Sequence, residues 1–300
     1  MLMTLLILFC LAILSVSVVT YGLFWRQTSG TAHLEMLREA SHGRPWLWVG
    51  AGFLSSLASQ AGAVLLYPLF LVKPLWLGSD IAPPNQSSTS NDKPTVLFVH
   101  GYAHTAAAWV FYAAWFRRAG YSDLHAITYN SWKLDFWGIV KQLERETEAI
   151  LRERPGQKIV LVCHSLGGLA ARTLLNTSEL RQRVLAVVTL GTPHQGTTLA
   201  SIGMNDLAHK LEYRGQLIKE IEASDIPSGV PSLAIYSLVD NMVMPLEGLR
   251  INKEGWQEFC TAPICHVGLL YHQPTAKAAL SFIAQAVSQT KGNQVPHRRP

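Results

Sequence analysis

Charge is what this chain has least of. Asp, Glu, Lys and Arg make up 15% of its 300 residues, where an average soluble domain carries about a quarter. The deficit is concentrated in the first 78 positions, so composition itself marks a boundary. The length admits one domain of about 200 residues plus an appended segment. The net charge is +5, but no run of lysine and arginine interleaved with aromatics occurs, which excludes a nucleic-acid partner as a reading. Cysteine is scarce too: Cys10, Cys163, Cys260 and Cys265. None has the CxxC spacing of a metal site. Cys260 and Cys265 are close enough to pair in an oxidising compartment, or are two unrelated thiols. No internal repeat is visible.

What is there begins with apolar residues. Positions 1–25 hold no charged side chain, and about 20 such residues span a bilayer. A cleaved signal peptide would show a basic start and a shorter apolar core, so an uncleaved span is expected. Positions 46–72 form a second uncharged run, rich in Gly, Ala and Ser, the small residues that let helices pack closely in lipid. Trp46, Trp48, Tyr67 and Trp76 sit near its ends, as interfacial aromatics do. A two-helix membrane segment over 1–78 is the expectation, with a core or interfacial helix as the alternative for the second run. The loop 26–44 carries three arginines, and the positive-inside rule puts that loop in the cytoplasm, with both chain ends outside.

Positions 79–94 are rich in Pro, Ser and Asn and read as a linker. A catalytic domain is expected over 95–290. The tail 291–300 is basic, either a frayed end or a weak attraction to anionic headgroups. Within the domain, short apolar runs alternate with helical patterns. Strands are expected over 95–99, 124–129, 158–163, 184–190 and 233–238. Helices are expected over 109–119, 137–153 and 166–176, and a last one opens at Pro274. Near-continuous apolar strands alternating with helices mean a mainly parallel sheet covered on both faces, an α/β fold. Ligands in such folds bind at the carboxyl ends of the strands.

The strand 158–163 runs into His164-Ser165-Leu166-Gly167-Gly168 and then a helix. A serine between small residues at a strand–turn–helix junction is a nucleophile elbow. The turn needs small residues two before and two after the serine. Gly167 fills one place and Cys163 the other. The turn exposes the Ser165 hydroxyl and frees the Leu166 N–H at a helix N-terminus for a developing oxyanion. After the first strand comes His100-Gly101-Tyr102. Gly101 lets the backbone approach a substrate carbonyl, and the Tyr102 N–H is the second oxyanion donor. Asp240 follows the strand 233–238 and can orient a histidine. Its rivals Asp206, Asp225 and Glu247 do not follow strands directly. His266 is the base that fits the order Ser, Asp, His. His272 abuts the last helix and His194 precedes the acid, so one is expected to cap or pack and the other to shape the pocket rim. Segment 201–227 is a surface helix or a lid.

These segments, with Gly191-Thr192-Pro193-His194-Gln195-Gly196-Thr197 and His266-Val267-Gly268-Leu269-Leu270, resemble the α/β-hydrolase lipases, above all the small bacterial triacylglycerol lipases, over about 93–287. The resemblance implies an α/β-hydrolase fold. It implies Ser165, Asp240 and His266 as triad, Tyr102 and Leu166 as oxyanion donors, and neither metal nor organic cofactor. The chain departs from that pattern at Cys163 and in its membrane segment. The expected activity is hydrolysis of carboxylic esters, lipid esters first, by a membrane-bound enzyme of a bacterial inner membrane with a periplasmic catalytic domain. Transfer of the acyl group to an alcohol or amine by the same triad is the alternative, and an inactive membrane-tethered binding protein is a third reading. The sequence says nothing of oligomeric state.

Overall fold

A computed structural model describes residues 2–78, 93–176, 178–226 and 229–292. Nearly all of the expected linker and most of the basic tail lie outside the described residues. Three helices open the chain: α1 (Leu2–Thr28), α2 (Ala32–Ala40) and α3 (Pro45–Leu66). The backbone then tightens to a 3-10 turn over Tyr67–Val72, where Pro68 has no N–H to continue the α pattern. It ends in α4 (Lys73–Leu77). The rest of the chain runs β1 (Thr95–Val99), α5 (Val110–Arg118), β2 (Leu124–Ala126), α6 (Phe136–Arg152), β3 (Ile159–His164), α7 (Leu166–Leu174), α8 (Ser178–Arg183), β4 (Val184–Leu190), α9 (Asp206–Lys210), α10 (Gln216–Ser224), β5 (Ser232–Tyr236), β6 (Trp256–Cys260) and α11 (Gln273–Gly292).

The strands form one sheet in the order β2-β1-β3-β4-β5-β6, and every pairing is parallel. Strand side chains alternate between faces, so the sheet separates two cores. Leu97, Val99, Leu161 and Val187 meet α6, α7 and α10 on one side. Val96, Phe98, Val162, Val188 and Ile235 meet α5 and α11 on the other, with Trp109, Tyr112 and Phe116 fully buried. Three strands differ from expectation, β5 in ending at Tyr236 rather than at 238. β2 stops at Ala126, after which the chain turns into the loop that holds Thr128 and Ser131 against the 101–106 segment. β6 is an additional edge strand whose residues are largely exposed.

The N-terminal helices are joined to this domain by a third core. Tyr21 and Phe24 of α1 and Leu37 of α2 pack with Tyr236, Leu238, Val239, Val243, Met244, Leu246 and Leu249. The buried stripe of α1 is partly polar: Ser17, Thr20, Tyr21, Phe24 and Thr28. Ser17 Oγ lies 2.9 Å from Ser56 Oγ of α3, and the Gln60 amide donates to both hydroxyls, at 2.9 and 2.8 Å. The outward face is apolar, with Leu5, Leu8, Leu11, Val16, Val18 and Val19 exposed. Both helices are long and apolar enough to cross a bilayer.

The arrangement corrects the expected sidedness. His33, in the loop 26–44, donates from Nε2 to Leu238 O over 2.8 Å, and Gln27 donates to Thr198. That loop therefore packs on the 95–290 domain, which a hairpin of two full spans would hold apart from it. Cys260 and Cys265 are both free thiols. The Cys265 sulfur is instead held by the Gly268 N–H at 3.1 Å and faces Ser59 Oγ at 3.6 Å, while Cys260 is exposed on the edge strand.

Candidate active site

Ser165 stands at the junction of β3 and α7 with φ 53° and ψ −125°. Positive φ is costly for a residue with a side chain and marks a constrained turn. The crowding explains the neighbouring glycines. A Cβ on Gly167 would sit 2.5 Å from His100 O, and one on Gly101 would sit 2.8 Å from Ser165 Cβ. Cys163 fills its place as a small apolar group, wholly buried in the core, and burial pushes its thiol pKa up.

Asp240 lies in the loop after β5 and is buried. Its Oδ1 accepts the N–H groups of Met242 and Val243, both at 2.9 Å, and its Oδ2 is 2.7 Å from His266 Nδ1. The carboxylate is thus held at both oxygens and sets the imidazole so that Nε2 is the free nitrogen. His266 and Ser165 line the same cavity, of about 500 Å³. No hydrogen bond joins the Ser165 hydroxyl to His266 among the described residues. Such contacts are often long in empty sites and tighten around substrate. The Leu166 N–H is at the first position of α7 and the Tyr102 N–H lies in the loop beyond β1. Neither has an intramolecular acceptor among the described residues.

The sequence pattern of the alpha/beta hydrolase family matches residues 96–282, more than half of the chain. The chain belongs to that family. This hydrolase is similar to the GPI inositol-deacylase of Candida albicans, at 29% identity over 181 residues. The match takes in 54% of this chain and 42% of that protein, so the chain spans less than half the length of that relative. Its fold is like that of the mature Bacillus licheniformis lipase BlEst2, with a TM-score of 0.56 and 19% identity over 65% of this chain and 93% of that one. Aspergillus fumigatus lipase B is comparable, with a TM-score of 0.55 and 17% identity over 66% of this chain and 55% of that one. At these identities the likeness is one of fold.

Several residues of the hydrolase's site were not singled out from the sequence. His164 Nε2 donates to His266 O at 3.2 Å, tying the elbow to the histidine loop, while its Nδ1 is buried without a partner among the described residues. Burial, then the charge of His266, holds the His164 pKa well below the usual histidine value. Burial also brings His104 down to about 4, with His266 again adding to the shift. His100 accepts the Tyr129 N–H at Nε2, 3.1 Å, so its Nδ1 carries the proton given to Gly101 O at 2.7 Å. Its pKa is about 3, lowered chiefly by burial. These rings are therefore neutral at pH 7, and the cavity keeps a low-charge interior around the Asp240–His266 pair.

Asn241 was also unforeseen. Its Oδ1 accepts the His266 N–H at 3.3 Å and its Nδ2 donates to Thr20 Oγ1 of α1 at 2.8 Å. Four α1 residues, Ser15, Val16, Val19 and Thr20, line the cavity. No signal in a hydropathy pattern pairs positions more than 200 apart. His194 differs from expectation. It is fully buried beneath the site, 3.1 Å from Thr189 Oγ1, and does not reach the rim. His272 meets Thr275 at the start of α11. Of the rival acids, Asp225 is paired with Arg172 and Lys253. In segment 201–227, α10 is fixed in the core by Leu217, Ile218 and Ile221, and only 202–211 borders the cavity.

Proposed function

We propose that this hydrolase cleaves carboxylic esters of lipids with Ser165 as nucleophile, His266 as base and Asp240 as the group that orients it. The observation that carries the reading is the arrangement itself: a serine on a strained elbow shares an apolar-walled cavity with a histidine whose Nδ1 is 2.7 Å from a buried carboxylate. His266 Nε2 takes the Ser165 proton as Oγ attacks the ester carbonyl. The carbonyl oxygen becomes an oxyanion, held by the Leu166 and Tyr102 N–H groups, each worth about 10²–10³ in rate in related sites. The alcohol leaves with the proton from His266. Water, deprotonated by the same ring, then releases the acid from the acyl-enzyme.

Lipid is favoured as substrate class for two reasons. The outward faces of α1 and α3 are apolar while their polar groups turn inward, the polarity of helices that face lipid tails. The name of the Candida albicans relative, an inositol-deacylase, is in keeping with removal of an acyl group from a lipid. The domain therefore acts at a bilayer surface, with the apolar outer faces of α1 and α3 against lipid and 95–290 carrying the chemistry. Labelling of detergent-solubilised full chain with a fluorophosphonate tests the reading. Modification maps to Ser165, and Ser165→Ala loses labelling and about 10⁴-fold or more of ester hydrolysis. Hydrolysis by Ser165→Ala at the wild-type rate would overturn it.

A further inference from the structure

The cavity that holds Ser165 and His266 has a mouth, and the mouth is identifiable from the residues that both line the cavity and reach the surface. They are Ser15, Val16 and Val19 of α1 on one side and Ile202 and Met204 of the segment before α9 on the other. Val16 and Val19 are 46% and 52% exposed, and Ile202 and Met204 58% and 75%. Four of the five are apolar. Large apolar groups at the rim of a site in water are costly and mark a surface made to meet something apolar.

The rim continues along α1. Residues three and four apart lie one above the other on a helix. Counting back from Val19 gives Val16, Ala12, Leu8 and Leu5, each exposed. They form an apolar lane of about 21 Å at 1.5 Å per residue, running from the cavity mouth to the start of the helix. The same turn of α1 that forms the wall also holds the histidine loop, through Thr20 and Asn241. A detached anchor would do neither.

We propose that α1 is the acyl-chain wall of the active site. The ester substrate enters sideways from the bilayer between α1 and Ile202/Met204. Its carbonyl reaches Ser165 while the far part of its acyl chain stays against the Val19–Val16–Leu8–Leu5 lane, still among lipid tails. Val16 and Val19 then set the preference for long chains over short ones. This rests on the serine hydrolase reading above and adds the route and the specificity residues to it.

The test compares hydrolysis of p-nitrophenyl palmitate and p-nitrophenyl butyrate by full-length protein in detergent, each rate divided by the fraction of sites that a fluorophosphonate labels at Ser165. Val19→Trp, which fills the wall, lowers the palmitate-to-butyrate ratio by about 10-fold or more. Met204→Asp, on the opposite rim and free of the packing of α1, lowers it as well. Val18→Trp, on the same helix but facing away from the cavity, leaves the ratio at the wild-type value. An unchanged ratio in Val19→Trp and Met204→Asp overturns the proposal, as does an equal fall in Val18→Trp. Absence of labelling and of hydrolysis of both esters in the wild type overturns the serine hydrolase reading itself, a result distinct from a labelled enzyme with an unaltered ratio.

Discussion

Helices α1 and α6 bury opposite things. The stripe of α6 against the sheet is Phe136, Ile139, Leu143, Thr147, Ile150 and Leu151, and Lys141, Arg145, Glu146 and Glu148 face outward. The stripe of α1 against the protein includes Ser17, Thr20, Tyr21 and Thr28, and leucines and valines face outward. Of 28 large apolar side chains exposed on the described residues, 21 fall between Met3 and Leu75. One rule covers both helices: each turns toward the protein what its surrounding medium solvates worst. In the proposed bilayer setting the medium differs, so the pattern inverts. A polar stripe is thus a packing face in one half of the chain and a solvent face in the other.

The comparison is sharpened most by acid. The catalytic half buries His100, His164 and His194, and burial lowers all three pKa values below the usual 6.5. The unfolded chain protonates these rings below about pH 6.5 and the folded one does not, so stability is full above that value and falls as pH drops. Each such ring adds about 1.4 kcal/mol per pH unit to the slope below about pH 5.5. Ser17, Ser56 and Gln60 do not titrate, so the contact of α1 with α3 is indifferent to the same change. Thermal unfolding of the detergent-solubilised protein from pH 8 to 5 measures this, and a flat profile would break the contrast. Next in size is Leu143→Ala in α6, with an expected loss of about 2–5 kcal/mol in denaturant unfolding. A comparable term, about 3 kcal/mol, attends Leu8→Asp on the outer face of α1, but it appears in partition between membrane and soluble fractions. Retention of Leu8→Asp in the membrane fraction at the wild-type level counts against a lipid-facing α1. Glu146→Leu on α6 moves neither quantity by more than about 0.5 kcal/mol. Ser17→Ala is also small, about 0.6 kcal/mol by thermal shift, because Gln60 still reaches Ser56 at 2.8 Å. A loss of several kcal/mol there would mean that the polar stripe is a tighter joint than its hydrogen bonds suggest.

Much of this was legible in the chain. β1 and β4 have the expected limits, and Ser165 and Asp240 follow β3 and β5, the strands from which they were read. Those features are local: an apolar run, a small-residue turn, a charged group after a strand. β6 was not legible because an edge strand with Gln257 and Glu258 carries no apolar run. Asn241 was passed over because its partners, Thr20 and the His266 N–H, are set by tertiary approach alone. The sidedness of loop 26–44 was misread for a related reason. Arginine counts report how a loop meets a membrane, whereas His33 and Leu37 are committed to the domain surface.

The hydrogen bonds of α1 also impose an order of assembly. Ser17, Ser56 and Gln60 lie within 43 residues of one another, so they can satisfy each other as soon as α3 has been synthesised. Thr20 and Tyr21 wait far longer, since their partners Asn241 and Val239 are 221 and 218 residues downstream. Chains fold from the N-terminus as they emerge. The helix pair therefore forms early with the Tyr21 hydroxyl unmatched, while Thr20 already donates to Val16 O within α1 at 2.8 Å, and the loop that carries His266 is completed only when residues 239–241 arrive. A nascent chain therefore lacks the tie between α1 and the His266 loop until residues 239–241 dock on its first helix.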